Sequence, residues 1–338
     1  MKTKNLIERL SLFLLALVLT MPAWAQGSSG NESETITIAS KADWKTFCER
    51  VAAGEPKLNA KMTADVDLGE EIVMVGEEFK MYEGTFDGQN HTLTVNWDDR
   101  FTNDVAPFKR VKDATIKNLR VKGHITGERQ LAGLIYSVHG NTTLSNCVSE
   151  VDIKGKSYLS GMIYRAENIA KVTFTDCVVK GALNSEETNN IASFVYQTWG
   201  SCTLNNCLYL GTNNATNCYY LNACGEEQGT QVTKAQLESG EVAYKLQAGR
   251  SENVWGQKLG TDNEPQLTAE AERHVYMVGF AYNGEVKAER YANKGGHVSL
   301  PTLQEALGTD YNPHHYYSGF AFANGFNETT PVEGNMTV

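Results

Sequence analysis

Hydrophobic and polar positions recur along the chain with a long period. The stretch "TLSNCVSEV" at 143–151 returns as "TFTDCVVKG" at 173–181 and as "TLNNCLYLG" at 203–211, with a fainter copy, "TIKNLRVKG", at 115–123; the spacing is 28 to 30 positions. Ile116, Leu144, Phe174 and Leu204 share one phase. Two positions later stand Asn118, Asn146, Asp176 and Asn206, followed directly by Leu119, Cys147, Cys177 and Cys207. A second segment repeats between these copies, as "LAGLIYSV" at 131–138, "LSGMIYRA" at 159–166 and "IASFVYQT" at 191–198, with Tyr136, Tyr164 and Tyr196 in phase. The runs are short, rich in Thr, Val, Tyr and Asn, and bounded by Gly, which predicts strands and turns rather than helices. A fixed period of this length marks a solenoid. One repeat cannot bury its apolar side alone, whereas stacked coils share a continuous core. The expected fold class is therefore all-β, a right-handed parallel β-helix with two or three strands per coil. A β-sandwich is the competing arrangement, but it gives no reason for in-phase copies.

The period also bears on the cysteines. Adjacent coils of such a fold lie ~4.8 Å apart, so residues in one phase form a column. A position that accepts Leu119, Cys147, Cys177 or Cys207 is an interior one, because free Cys behaves as a small hydrophobe. Parallel, in-register side chains also make poor disulfide partners. The preceding Asn118, Asn146, Asp176 and Asn206 read as turn or ladder residues whose side chains bond along the stack.

Flanking segments break the period. "SKADWKTFCERVAAG" at 40–54 predicts a capping helix: Ser40 and Asp43 form a box-like start, Trp44, Phe47, Cys48 and Val51 an apolar stripe, and Gly54 a stop. An exposed solenoid end needs such a cover. "YEGTFDGQNHTLTV" at 82–95 then leads into the coils, with a turn at Asp87-Gly88. After the last copy, "TKAQLESGEVAYKLQAG" at 233–249 predicts a helix broken at Gly240, and "NVWGQKLGTDNEPQL" at 253–267 a packed return. From about residue 273 the pattern becomes strand-like with Gly turns and loses the period.

The first 25 residues read as an export signal: Lys2, Lys4 and Arg9, then the apolar run "LSLFLLALVLT", then Ala23-Trp24-Ala25. That run is shorter than the ~20 apolar residues of a membrane span, and the absence of a cysteine after it argues against a lipid anchor. The expected organisation is a signal peptide at 1–25, a linker at 26–34, a capped β-solenoid at 35–232, a helical and extended bridge at 233–272, and a small module at 273–338. The net charge of −10 with scattered Lys and Arg gives no basic patch for nucleic acid.

Three segments resemble known families. The stretch from "DWKTFCERVAAG" to "EGTFDGQNHTL" and the coils "LAGLIYSV…LSNC" resemble the GLUG-motif β-helix proteins exported by Bacteroidetes-type bacteria. "LESGEVAYKLQAG…VWGQKLGTDNEPQL" resembles the segment that follows such helices. The tail, through "GGHVSLP", "YYSGFAF" and "TPVEGNMTV", resembles the Listeria–Bacteroides (internalin-type B) repeat, a small β-grasp-like module. The glycine-leucine step holds at Gly133-Leu134 and becomes Gly161-Met162, then Ser193-Phe194. The tail stops at Val338, before the aromatic strand with which such modules end, which reads as a truncation. The resemblance implies a surface protein of adhesive type.

Candidate chemistry is thin. β-Helices include polysaccharide lyases and glycosidases, which need paired carboxylates on one face. Asp65, Asp67, Glu70 and Glu71 in "ADVDLGEE" are such candidates, and Asp65 and Asp67, on one face of an early strand, could hold calcium, but a solvated edge near the cap is the better reading of them. Asp87 and Asp176 read as turn and ladder residues. Cys202, Cys207, Cys218 and Cys224 lack compact zinc spacing; a Cys218–Cys224 disulfide fits them better than zinc does, and free cysteines fit them best. His314-His315 makes a poor metal pair, since neighbours on an extended chain point apart. Asn141 and Asn327 head glycosylation sequons that matter only in a eukaryotic secretory route. No catalytic, cofactor or metal residue is assigned, and no cofactor is expected. The expected function is an exported, non-catalytic surface binding or adhesion protein, with extracellular glycan or a surface protein as partner. A carbohydrate-active β-helix enzyme is the alternative, and a purely structural spacer a weaker third.

Overall fold

A computed structural model describes residues 34–187, 191–210, 229–317 and 321–338. The expected signal peptide, Cys218 and Cys224 lie outside the described residues. The description that follows concerns the unit Thr35–Val338.

The chain winds into a parallel β-solenoid of about six turns. Each central coil contributes to three parallel sheets: a large one of 13 strands, a three-stranded one, and a four-stranded one. The registers are those the period requires. Phe86 pairs with Ile116, Ile116 with Leu144, Leu144 with Phe174, and Phe174 with Leu204. All five are buried in one continuous core. Strand alternation then sends the residues on either side of each outward. The "LAGLIYSV" segments split at the corner into two strands, which gives three strands per coil, the larger of the two numbers expected. The reason is steric. A Cβ on Gly133 would lie 2.2 Å from the carbonyl oxygen of Gly161, and one on Gly161 would lie 2.4 Å from that of Ser193. Leu134, Met162 and Phe194 follow this corner into the core.

Within the large sheet each coil bends at one residue. Asn118, Asn146, Asp176 and Asn206 have φ of 51°, 52°, 53° and 50°. This is left-handed backbone, which Asn and Asp tolerate better than other non-glycine residues. The next residue returns to the core as Leu119, Cys147, Cys177 or Cys207. Cys147, Cys177 and Cys207 are buried free thiols. Each donates back across the bend to the carbonyl two residues earlier, at 3.4 Å to Ser145, 3.4 Å to Thr175 and 3.3 Å to Asn205. The thiol is therefore a hydrogen-bond donor as well as a space filler.

Helix α1, Lys41–Ala53, starts at Ser40, whose side chain accepts from the Asp43 amide, and ends at Gly54 with φ 113°. Trp44, Phe47 and Val51 are fully buried in the same core as Met62, Phe86 and Phe108. The Trp44 ring meets Phe47, Phe86 and Phe108 edge-on at 5.8 to 6.0 Å, and its indole N–H donates to Val73 at 2.9 Å. Edge-on aromatic contacts of this kind add to the area term.

Beyond the coils, α2 (Lys234–Glu238) and α3 (Glu241–Gln247) are separated by Gly240 at φ 90°. A short antiparallel pair, Trp255–Gly256 with Gln266–Leu267, follows. The last segment is a hairpin of Val275–Tyr282 with Glu285–Asn293, then helix α4 (Leu303–Leu307), then Met336–Thr337 running parallel to the first hairpin strand.

Two measurements check this packing. Trp44→Ala should destabilise the protein by about 3–5 kcal/mol in urea unfolding, as for other large core aromatics; an unchanged midpoint would mean that α1 does not dock. Burial raises the Cys177 thiol well above its ordinary value. All three thiols are buried, so iodoacetamide at pH 8 should leave Cys147, Cys177 and Cys207 unmodified until denaturant is added, read by peptide mass spectrometry.

Candidate functional site

The carboxylates singled out from the sequence are each occupied locally. Asp65 is exposed; one oxygen accepts from the Thr92 amide at 2.8 Å and lies 3.3 Å from His91 Nδ1. Asp67 caps its own turn by accepting from the Gly69 amide at 2.8 Å. Only Val66–Asp67 is strand there, so Asp65 flanks it. Glu71 pairs with Lys45 at 2.7 Å and Lys41 at 3.3 Å on α1, which holds its carboxyl below the usual range. Glu70 is exposed. Asp87 accepts from the Gln89 amide and the Asn118 side chain, both at 3.0 Å, and faces Lys117 at 3.2 Å. Burial raises its carboxyl, but these donors together outweigh burial and keep it low. His314 and His315 are exposed on a turn. Cys202 is buried. Among the described residues no three His, Cys, Asp or Glu side chains are grouped to hold a metal ion.

The Asn/Asp column does form a ladder, with one difference from expectation. Asn118 donates to Asp87 at 3.0 Å, Asn146 to Asn118 at 2.8 Å, and Asn206 to Asp176 at 2.6 Å. Asn146 does not bond Asp176. Arg250, from the segment after α3, enters between them: its guanidinium donates to the Asn146 side-chain oxygen at 2.7 Å and pairs with Asp176. Around this insertion Val148, Val178 and Leu208, which point out of the solenoid, are buried under Val242, Leu246 and Trp255. Alongside, Arg120 and Lys180 meet Glu150 at 2.8 and 2.9 Å and Glu264 at 3.4 and 2.5 Å. The bridge thus covers this half of the large sheet. Arg250 carries no repeat signal, so nothing in the periodic pattern points to it.

The four-stranded sheet carries a second outward column. Tyr136, Tyr164 and Tyr196 stack at 5.3 and 5.5 Å with interplanar angles of 15° and 16°. The guanidiniums of Arg110 and Arg165 lie 5.5 and 5.2 Å from the Tyr136 ring centre, within cation–π range. Packed this way the three tyrosines are at most 5 % exposed, so they offer no open ring face. Beside them the Ser137 hydroxyl lies 3.0 Å from Glu167 and 3.3 Å from His139 Nε2. These residue types suggest nucleophilic chemistry, but the order is wrong. In a triad the carboxylate orients the histidine and the serine is open, whereas here Glu167 takes the serine hydroxyl and Ser137 is fully buried. Burial lowers the His139 pKa.

The other half of the large sheet is different. Thr85, Thr115, Thr143, Thr173 and Thr203 stand in unbroken register with outward parity. A second column holds Asp87, Lys117, Ser145, Thr175 and Asn205, and a third Asn141, Lys171 and Ser201. All are exposed or half-exposed. Two residues before Ser201 in the chain, Trp199 is 54 % exposed, whereas Trp44, Trp97 and Trp255 are buried. A cavity of about 410 Å³ lies elsewhere, between α2 and the tail hairpin, lined by residues including Gln236, Glu241, Glu289, Arg290 and His297. Comparison with protein-family models, curated proteins and solved structures gives no match.

Removing Arg250 tests the ladder. Arg250→Ala leaves Asp176 without its cation and should cost about 2–3 kcal/mol, somewhat under a fully buried pair. Asp176→Asn keeps an acceptor for Asn206 and for Arg250 and a residue suited to left-handed backbone, and should cost less than Arg250→Ala. Equal unfolding midpoints for Arg250→Ala and the parent would contradict the assignment.

Proposed function

We propose that this chain is an exported surface binding or adhesion protein in which a rigid β-solenoid presents a polar face to an extended partner, without catalysis. One observation carries the reading: the fully registered threonine column with its two polar neighbours, on the half-sheet that the bridge leaves open. The core needs only the inward residues between these columns, so the fold does not require hydroxyls and amides outside. A stacked parallel sheet holds them at fixed ~4.8 Å intervals, and pre-organisation of this kind lowers the entropic cost of binding.

The remaining architecture fits the same reading. The solenoid is right-handed, α1 caps its first coils, and the three strands and helix after residue 273 form a β-grasp-like module, as the resemblance to GLUG-motif proteins and to the Listeria–Bacteroides repeat implies. The N-terminal basic, apolar and Ala-Trp-Ala pattern directs export. Against catalysis stand the engagements of Asp65, Asp67, Glu71, Asp87 and Asp176, each committed to an amide or a cation within the fold. A general acid needs a raised pKa from burial or a like charge, and Glu71 and Asp87 are shifted the other way.

The full chain, incubated with a panel of plant, fungal and bacterial polysaccharides and with intact cells, is expected to be retained on at least one surface. Neither reducing ends nor unsaturated products should appear. Turnover that vanished in Asp176→Asn or Asp87→Asn, with circular dichroism unchanged, would replace this reading with that of a carbohydrate-active enzyme.

A further inference from the structure

The open face carries a chemical signature beyond its flatness. Over the coils at 141–145, 171–175 and 201–205 its outward residues are Thr, Ser and Asn, with Lys171 as the one ionised side chain. Lys117 and Asp87, one and two coils further along, pair with each other at 3.2 Å. An acidic or basic ligand would find little complementary charge, whereas hydroxyls and amides suit a neutral polyhydroxylated one. At the edge of this face two apolar side chains are open. Trp199 is 54 % and Ile169 85 % exposed, on the same corner of consecutive coils, and Trp199 stands on the bend that leads into the strand carrying Ser201, Thr203 and Asn205. The Trp199 amide bonds the Ala166 carbonyl at 3.1 Å and the Ser201 amide the Ala170 carbonyl at 2.8 Å, so the corner is pinned. Gly200 admits no side chain there, since a Cβ would sit 2.0 Å from the Ala170 oxygen. Ile169 holds φ 62°, a costly conformation for a β-branched residue. Both side chains leave apolar surface open at this corner.

From this geometry we infer that Trp199 and the hydroxyl columns form a binding site for a neutral, extended, β-linked glycan running along the solenoid axis. The inference rests on the binding reading above and assigns it a face and a ligand class. An indole presents a broad apolar surface with a polar tip, against which the C–H face of a pyranose buries. The Thr and Asn columns meet its hydroxyls directly or through water. Coil spacing of ~4.8 Å is close to the rise of one sugar in an extended β-1,4-linked chain, so successive sugars meet equivalent side chains. A protein partner fits less well, because Ser and Thr are under-represented at binding hot spots. A nucleic acid fits less well still, because the face lacks the cations that phosphates require.

The test is a titration of the full chain, followed by calorimetry and tryptophan emission, with cellohexaose, mannohexaose and chitohexaose. Maltohexaose serves as a curved neutral control and hexagalacturonate as an acidic one. At least one of the three extended sugars is expected to bind with a change in emission, and both controls to bind more weakly. Trp199→Ala should weaken binding about tenfold or more. The double variant Thr173→Val, Thr203→Val, which keeps shape and loses hydroxyls, should weaken it roughly fivefold. Unchanged affinity in both variants would overturn the site, as would equal binding of maltohexaose or hexagalacturonate. Retention on cells or polymers with none of the three sugars bound would overturn the ligand class alone and leave the binding reading standing.

Discussion

Left-handed backbone at one phase of every central coil is the constraint on which the rest of the structure depends. Asn118, Asn146, Asp176 and Asn206 differ by only a few degrees in φ, and each bends its strand at the same height. That bend divides the large sheet into two half-sheets with separate outward surfaces. Asn and Asp meet two demands at once. They tolerate the conformation, and their side chains bond to the coil above or below. Glycine would meet the first demand only. The thiols that follow reinforce the bend by donating to the carbonyl before it, which gives a physical reason for cysteine where leucine also packs.

The division has a functional consequence, because the two half-sheets bury different things. Beyond the bend, Val148, Val178 and Leu208 point outward and are covered by the bridge, with Arg250 reaching into the ladder and Glu264 closing an ion-pair cluster. Before the bend, threonines point outward with nothing hydrophobic to hide. The covered half-sheet fixes the bridge to the solenoid; the open one stays exposed and is the face we propose for binding. The tyrosine column on the four-stranded sheet falls on the structural side of this distinction. Its ring faces are taken up by one another and by Arg110 and Arg165.

Much of the solenoid was legible in the sequence, because its signals are local and repeated. The inward column of Ile116, Leu144, Phe174 and Leu204, the ladder role of the Asn/Asp phase and the buried cysteines all follow from the period. Even the threonine column is written in the four copies, one residue before the apolar phase. Other features were not legible, for stated physical reasons. The split of "LAGLIYSV" into two strands depends on a carbonyl of the next coil meeting Gly133, a contact 28 residues away. Arg250 acts on Asn146 across 104 residues and on Asp176 across 74, without periodicity. Which face stays open follows from where the bridge lands, and which tryptophan is exposed follows from the corner that places it. Local pattern reports neither.

The central claim is that the open half-sheet, and no other surface, meets the partner. Hydroxyl-radical footprinting of the full chain, with and without a bound neutral hexasaccharide, addresses it directly. The chain carries its own controls, since Phe79, Phe101 and Tyr316 are at least 90 % exposed on other loops. The account predicts reduced oxidation of Trp199 and Ile169 in the presence of the sugar, with Phe79, Phe101 and Tyr316 unchanged. Protection of those three, with Trp199 and Ile169 oxidised as before, would contradict it.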